Sequence, residues 1–246
     1  MLNSKKIVIV LPAYNASRTL GLTIRSIPEL ADAIVVVDDH SADDTFRIAG
    51  ELGVDKLVRH EENLGYGANQ KTCYREALAL DADIILMLHP DYQYSPKMIP
   101  AMCAAIAYGE YDVSLGSRIL GKGALAGGMP LYKYFFNRIL TLVQNILINQ
   151  KMSEYHSGFR AYRADVLRSI PFENNSNDFV FDNELLCQIL KKRYRVCEIS
   201  CPTLYDETSS SINFRRSVVY GFGVLKLSLL YLLDSLGIYS SRLFKG

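Results

Sequence analysis

Along the first half of the chain, short apolar runs alternate with segments whose apolar residues recur at helical spacing. Ile7–Leu11 is rich in β-branched residues and stops at Pro12, which predicts a strand. Ser17–Ile27 reads as a helix behind a serine cap, and Ala33–Val37 as a second strand ending at Asp38-Asp39. Ser41-Ala-Asp-Asp44 has the capping-box pattern, a carboxylate three residues after the serine, and opens a helix to about Leu52 with Gly53 at its end. Lys56–Arg59 predicts a short strand and Gly67–Leu80 a helix. Ile84–Leu88 is another strand, running into His89-Pro90-Asp91. Pro96 opens a helix to about Tyr108, and Val113–Leu115 is a further strand. This alternation implies right-handed crossovers, hence an α/β fold with a mostly parallel sheet covered on both faces. Ligands of such sheets bind beyond the carboxyl ends of the strands. Pro12–Asn15, Asp38-Asp39 and His89–Gln93 all fall at such ends and mark the candidate site.

The second half is less regular. Gly121, Gly123, Gly127 and Gly128 suggest a flexible loop. Residues 131–148 read as a partly basic helix, and Phe181–Lys192 as a helix with carboxylates near its start. Val196–Cys201 is strand-like, and Arg215–Leu236 is a long, mainly apolar helical stretch. No internal repeat or low-complexity segment interrupts the chain, so residues 1–246 are read as one continuous domain.

Composition narrows the class. The 246 residues are 49% hydrophobic and 22% charged, which excludes wholesale disorder. The net charge of +1 conceals an asymmetry: residues 1–117 carry 10 basic and 16 acidic side chains, residues 118–246 carry 17 and 10. A basic second half suits an anionic substrate or a membrane surface. The longest unbroken apolar run, Ala101–Tyr108, is far shorter than the ~20 residues of a spanning helix. Arg215, Arg216 and Lys226 among the leucines of the last stretch fit a helix lying on a membrane, a core helix or a partner interface. Lys226 and Asp234 argue against a spanning one. No secretory signal opens the chain, and its five cysteines have no zinc-like spacing, so reduced thiols in a cytoplasmic protein are expected. No Gly-x-Gly-x-x-Gly follows the first strand, so a Rossmann oxidoreductase is a poor fit.

Leu11-Pro-Ala-Tyr-Asn15, Val37-Asp-Asp-His-Ser-Ala-Asp-Asp-Thr45, Asn63-Leu-Gly-Tyr-Gly67, Gly116-Ser-Arg118 and Ser157-Gly-Phe-Arg160 occur in this order. Over residues 5–205 the chain resembles the family 2 glycosyltransferases of the GT-A fold, in particular the dolichyl-phosphate mannose synthase and polyprenyl-phosphate glycosyltransferase group. The resemblance implies an inverting, metal-dependent transfer of a sugar from a GDP- or UDP-linked donor, with Mn²⁺ or Mg²⁺ as cofactor and no nucleic-acid partner. Residues 1–117 would hold the nucleotide and residues 118–246 the acceptor. The donor would meet Pro12, Ala13, Tyr14, Asp38, Asp39, Gly65 and Asp91. Of the two adjacent carboxylates, Asp39 is expected on the nucleotide and the other on the next helix. The family's glutamate after Asn15 is replaced by Ala16.

His89-Pro90-Asp91 stands where the family has Asp-Ala-Asp, so Asp91 is the expected metal ligand, with Gln93 and, in place of the first aspartate, His89. Imidazole is softer than carboxylate and favours Mn²⁺ over Mg²⁺. Arg118, Lys133, Arg138 and Arg160 are the candidate phosphate contacts, since guanidinium forks and ammonium groups suit phosphate. A hydroxyl acceptor needs a general base, for which Asp182 and Glu184 are the candidates and Glu154 a lesser one; a phosphate acceptor is already ionised and needs none. The leading expectation is a polyprenyl phosphate acceptor. A glycan hydroxyl in cell-surface polysaccharide synthesis is the alternative, and a catalytically impaired sugar-nucleotide-binding protein is the reading from another class. Related transferases carry membrane helices after the catalytic domain; here any anchor is expected to be peripheral, at the cytoplasmic face, or supplied by a partner.

Overall fold

A computed structural model of the chain describes residues 1–121, 123–205 and 214–245. In chain order its elements are β1 (Ile7–Ala13), α1 (Leu20–Arg25), β2 (Ala33–Asp38), α2 (Thr45–Glu51), β3 (Lys56–Arg59), α3 (Tyr66–Ala79), β4 (Ile84–Met87), α4 (Ile99–Ala107), β5 (Val113–Ser117), α5 (Gly123–Ala126), α6 (Leu131–Ile148), β6 (Arg160–Arg163), α7 (Ala164–Ser169), α8 (Phe181–Lys191), β7 (Val196–Ser200) and α9 (Phe214–Ser235). The strands form one sheet in the order β3-β2-β1-β4-β6-β5-β7, and only β6 runs antiparallel to its neighbours β4 and β5. The second half of the chain therefore inserts a strand between two strands of the first half.

Strand alternation divides the core into two layers. Val8 and Val10 point to the side covered by α3, α7 and α8, while Ile7, Ile9 and Leu11 point to the side covered by α1, α2 and α4. Both faces of β1 are fully buried, which accounts for its unbroken apolar run.

Several local expectations change. The first helix begins at Leu20, because the Ser17 amide donates to Asp43 and the Thr19 and Leu20 amides turn back onto the Ala16 carbonyl. Ser41 does not cap α2. Its hydroxyl accepts from the Asn15 amide, and the Thr45 amide is taken by Asp43. The glycine-rich loop contains the short α5. β6 and α7 were not expected, because Arg-Ala-Tyr-Arg is too short and polar to read as a strand. All five cysteines are free.

By length and composition alone Arg216–Ser235 is apolar enough to cross a membrane, which a count of unbroken apolar runs does not reveal. Small and polar residues interrupt its apolar stretches, which hides it from a count of consecutive apolar residues. It packs against α6 and α8 through Val224, Leu227, Ser228 and Tyr231, and Asp234 pairs with Lys191 of α8 at 2.7 Å. The Arg215 side chain lies outside the described residues.

Candidate active site

The carboxyl ends of β1, β2 and β4 do converge, as their parallel register requires. At the first, Pro12 and Ala13 are buried and Tyr14 is 54% exposed. The Ala13 carbonyl accepts from the Asp39 amide and from Asn69 of α3, which also bonds the Val37 carbonyl and so ties the two strand ends together.

The two adjacent aspartates are internal. Asp38 accepts from the Ser41 amide and pairs with Arg59 at 3.2 Å. Asp39 is 2% exposed and accepts from the Leu64 amide, the Gly65 amide and His60 Nδ1 at 2.9, 3.0 and 2.7 Å. Neither carboxylate lies open to a ligand, and neither caps α2. Asp39 instead shapes the Asn63–Gly67 loop. Gly65 has φ +96°, and a Cβ there would stand 2.6 Å from the Asn177 carbonyl oxygen, so glycine is required by the turn itself. Beside this corner an open groove of about 650 Å³ is lined by Arg59, His60, Glu61, Glu62 and Leu64.

Beyond β4, Asp91 is partly exposed and Gln93 nearly buried; the Gln93 amide donates to Asp91 Oδ1 at 3.1 Å. His89 Nε2 lies 3.1 Å from the Tyr66 hydroxyl, and the two rings stack with centroids 5.6 Å apart. Among the described residues, no group of three or more His, Cys, Asp and Glu side chains converges as a metal cage. A cation shared with a diphosphate needs no such cage, because phosphate oxygens and water complete its shell. One carboxylate, one amide and one imidazole following a single strand end fit that kind of site.

Asp182 and Glu184, the candidate bases, diverge within the first turn of α8. Asp182 is 7% exposed and accepts from Tyr66 at 2.6 Å and from Gln70 at 3.1 Å. Glu184 accepts from the Ser176 amide, and burial raises its pKa above the ordinary carboxylate value. Both carboxylates are engaged by the protein's own groups, Asp182 in the interior and Glu184 half-buried on the Ser176 amide, rather than held toward an open cleft.

The four candidate phosphate contacts separate into three kinds. Arg160 is 1% exposed and its guanidinium clamps the carbonyls of Ser157, Asp182 and Tyr155; it is a structural residue, contrary to expectation. Arg118 is largely buried against Glu154, with Tyr205 and the His156 carbonyl as further partners. Burial alone would raise the Glu154 pKa, but Arg118 overrides it and holds the carboxylate below its usual range. Arg138 is exposed and donates to the Ser153 carbonyl. Lys133 is the exception. It is half-buried, forms no hydrogen bond or ion pair among the described residues, and its pKa is lowered by burial and by Arg118.

Tyr66, Gln70, Asn69 and Tyr205 were missed from the sequence; only Tyr66, inside the Asn63–Gly67 motif, carried a local signal. Nearby, His156 Nδ1 bonds the Tyr220 hydroxyl of α9 at 2.9 Å, its Nε2 is buried without a partner among the described residues, and burial depresses its pKa to about 4.

Three comparisons bear on this arrangement. Residues 8–170 match the sequence profile described as glycosyl transferase family 2. An uncharacterized protein of Methanocaldococcus jannaschii, MJ1222, is 30% identical over 225 residues, 91% of each chain. The UDP-N-acetylglucosamine–dolichyl-phosphate N-acetylglucosaminyltransferase of Methanococcus voltae is 25% identical over 237 residues, 89% of this chain and 93% of that one. Among solved structures, glucosyl-3-phosphoglycerate synthase from Mycobacterium tuberculosis with Mg²⁺ and UDP superposes with a TM-score of 0.70 at 20% identity, covering 97% of this chain and 82% of that one. This last likeness bears on the fold, which is GT-A.

Proposed function

The chain belongs to glycosyl transferase family 2, and from that membership we propose that it moves a sugar from a UDP-linked donor to the phosphate of a polyprenyl (dolichyl-type) lipid at a membrane surface. The named activity of the Methanococcus relative supports a UDP-linked donor.

The observation that carries the acceptor reading is the orientation of α6. Its buried side is mainly polar: Asn137, Thr141 and Gln144 face inward ahead of Ile148 at its end, with Asn137 on Glu154 and Gln144 on Asn183. Its outer side is apolar: Leu131, Phe135, Ile139, Leu142 and Ile146 are 41–75% exposed. A water-facing helix has the reverse pattern, and so large an apolar face marks an interaction surface. α6 carries Lys133 and Arg138 and no carboxylate, and α9 alongside adds exposed Phe222, Leu229 and Lys226. Apolar side chains flanked by cations and free of anions complement an anionic lipid surface. An acceptor with an apolar tail and a phosphate head would then reach Lys133 and Arg118 directly across α6.

Asp91, with Gln93 and His89, would hold a divalent cation together with the donor diphosphate; when bound, it neutralises charge on the leaving nucleotide. Lys133 would bind the acceptor phosphate, and Arg118, kept charged by Glu154, would add to the field that attracts it. A phosphate oxygen would attack the anomeric carbon from the side opposite the diphosphate. The new carbon–oxygen bond forms as the bond to the nucleotide breaks, with inversion and release of UDP. The acceptor phosphate loses its second proton near pH 6, so no protein base is required. The inward Asp182 and Glu184 suit this chemistry better than transfer to a glycan hydroxyl.

The test is a panel of labelled UDP-sugars with Mn²⁺ or Mg²⁺, offered polyprenyl phosphate in vesicles or soluble glycans. Label should enter the lipid. Lys133→Met should lower kcat/KM for the lipid phosphate by about 10- to 150-fold, the value of ~1.5–3 kcal/mol for a charge-assisted bond, without changing donor affinity. Transfer to glycans alone would overturn the reading, and donor binding without transfer to any acceptor would favour an impaired sugar-nucleotide-binding protein.

A further inference from the structure

Three of the sequence motifs meet in a part of the molecule that the transfer chemistry above leaves unexplained. Tyr66 of the Asn63–Gly67 loop lies between His89 and Asp182, 3.1 Å from His89 Nε2 and 2.6 Å from Asp182 Oδ2. The other carboxylate oxygen of Asp182 accepts from Gln70, whose own carbonyl accepts from Tyr74 at 2.7 Å. Arg160 holds the Asp182 carbonyl at 2.5 Å and so fixes the first turn of α8. Gly158 leaves room for the His89 ring: a Cβ there would lie 2.3 Å from Nε2. Phe179 stacks on the other side of Tyr66, with centroids 5.0 Å apart.

Tyrosine has one hydroxyl proton, and a carboxylate only accepts. The proton of Tyr66 is therefore given to Asp182, and its oxygen is left to accept. His89 Nε2 must then carry a proton. We propose that Asp182 and Tyr66 are positioning residues that fix His89 as the Nε2–H tautomer, leaving the Nδ1 lone pair as the electron-pair donor at the end of β4. This gives the histidine that replaces the family's first aspartate a defined role: a neutral ligand atom, oriented by a carboxylate through a tyrosine. Ligating histidines are oriented in this way by a partner on the second ring nitrogen. It also explains why glycine stands at 158 and arginine at 160. The use of the lone pair rests on the donor-site reading above; the tautomer itself does not.

The tautomer is read directly from imidazole ¹⁵N shifts of the protein labelled at its four histidines, with His89→Gln assigning the signal. His89 should show a protonated Nε2 and an unprotonated Nδ1 in the protein alone. Asp182→Asn should invert this pattern: the asparagine amide then donates to the Tyr66 oxygen, Tyr66 donates to Nε2, and the ring proton moves to Nδ1. Tyr66→Phe should leave two tautomers in exchange. An unchanged His89 signal in both variants would overturn the proposal. Binding of Mn²⁺ with UDP, followed by the electron paramagnetic resonance of free Mn²⁺, should weaken by about 10- to 100-fold in Asp182→Asn. If the tautomer inverts and Mn²⁺ binding is unchanged, Nδ1 is not a ligand and that part of the proposal fails. If the wild-type protein binds no Mn²⁺ with UDP, the donor reading fails instead, and the tautomer result stands apart from it.

Discussion

Helices α4 and α6 both carry their large apolar side chains along one side, and they turn those sides opposite ways. α4 turns Ile99, Met102, Cys103 and Ile106 onto the sheet. α6 turns Asn137, Thr141 and Gln144 inward and leaves its leucines and phenylalanines outside. The difference shows that an apolar stripe demands a low-dielectric neighbour without specifying which one. For α4 the neighbour is the core. For α6, whose inner side is occupied by the Arg118–Glu154 pair and its polar partners, the proposed neighbour is the membrane.

The largest expected effect strikes the outer face of α6. Phe135→Glu combined with Leu142→Glu should reduce binding to anionic vesicles by at least about 100-fold, because each buried apolar side chain contributes ~1.5–3 kcal/mol. Sedimentation with vesicles measures it, and undiminished binding would remove the membrane from the comparison. The next effect separates the helices by stability. Met102→Ala in α4 should cost ~2–5 kcal/mol, as core truncations do, whereas Ile139→Ala in α6 should stay within ~0.5 kcal/mol in solution. Equal losses in urea unfolding would mean that the α6 face is packed after all.

The smallest effect sharpens the polar interior between α6 and α9. His156 is held near pKa 4 by burial, below its ordinary 6.5. Between these values the unfolded chain binds the proton and the folded one does not, so stability is full above about pH 6.5 and falls as the pH drops toward 4. From pH 7 to pH 5 the loss from this group should be about 2 kcal/mol. His156→Phe should lack that part of the slope; the same slope in both proteins would assign it to other groups.

Much of the fold was written locally. The β-branched runs at Ile7–Leu11 and Ala33–Val37 require burial on both faces, whereas the need for glycine at 65 and 67 also comes from the distant carbonyls of Asn177 and Ser176. β6 was not legible because its four residues, Arg160–Arg163, acquire strand geometry only by filling the gap between β4 and β5. The candidate site was legible as a set of strand ends and motifs, but not as roles. Arg160 and Arg118 look alike in sequence, yet one clamps carbonyls in the interior and the other pairs with Glu154 near the half-buried Lys133.

By itself, then, the sequence determined most of the strands and helices, where the parallel strands end, and which family's motifs occupy those ends. These depend on backbone preferences and on the period of apolar residues, both readable within a few turns of chain. Tertiary structure alone decided that Asp38, Asp39 and Asp182 are buried on internal partners, that Lys133 is left without a partner among the described residues, and that α6 presents its apolar side outward. Charge and hydrogen-bonding capacity belong to the residue; whether they are spent on the protein or left for a ligand depends on groups brought from distant parts of the chain, as Tyr66 is to Asp182.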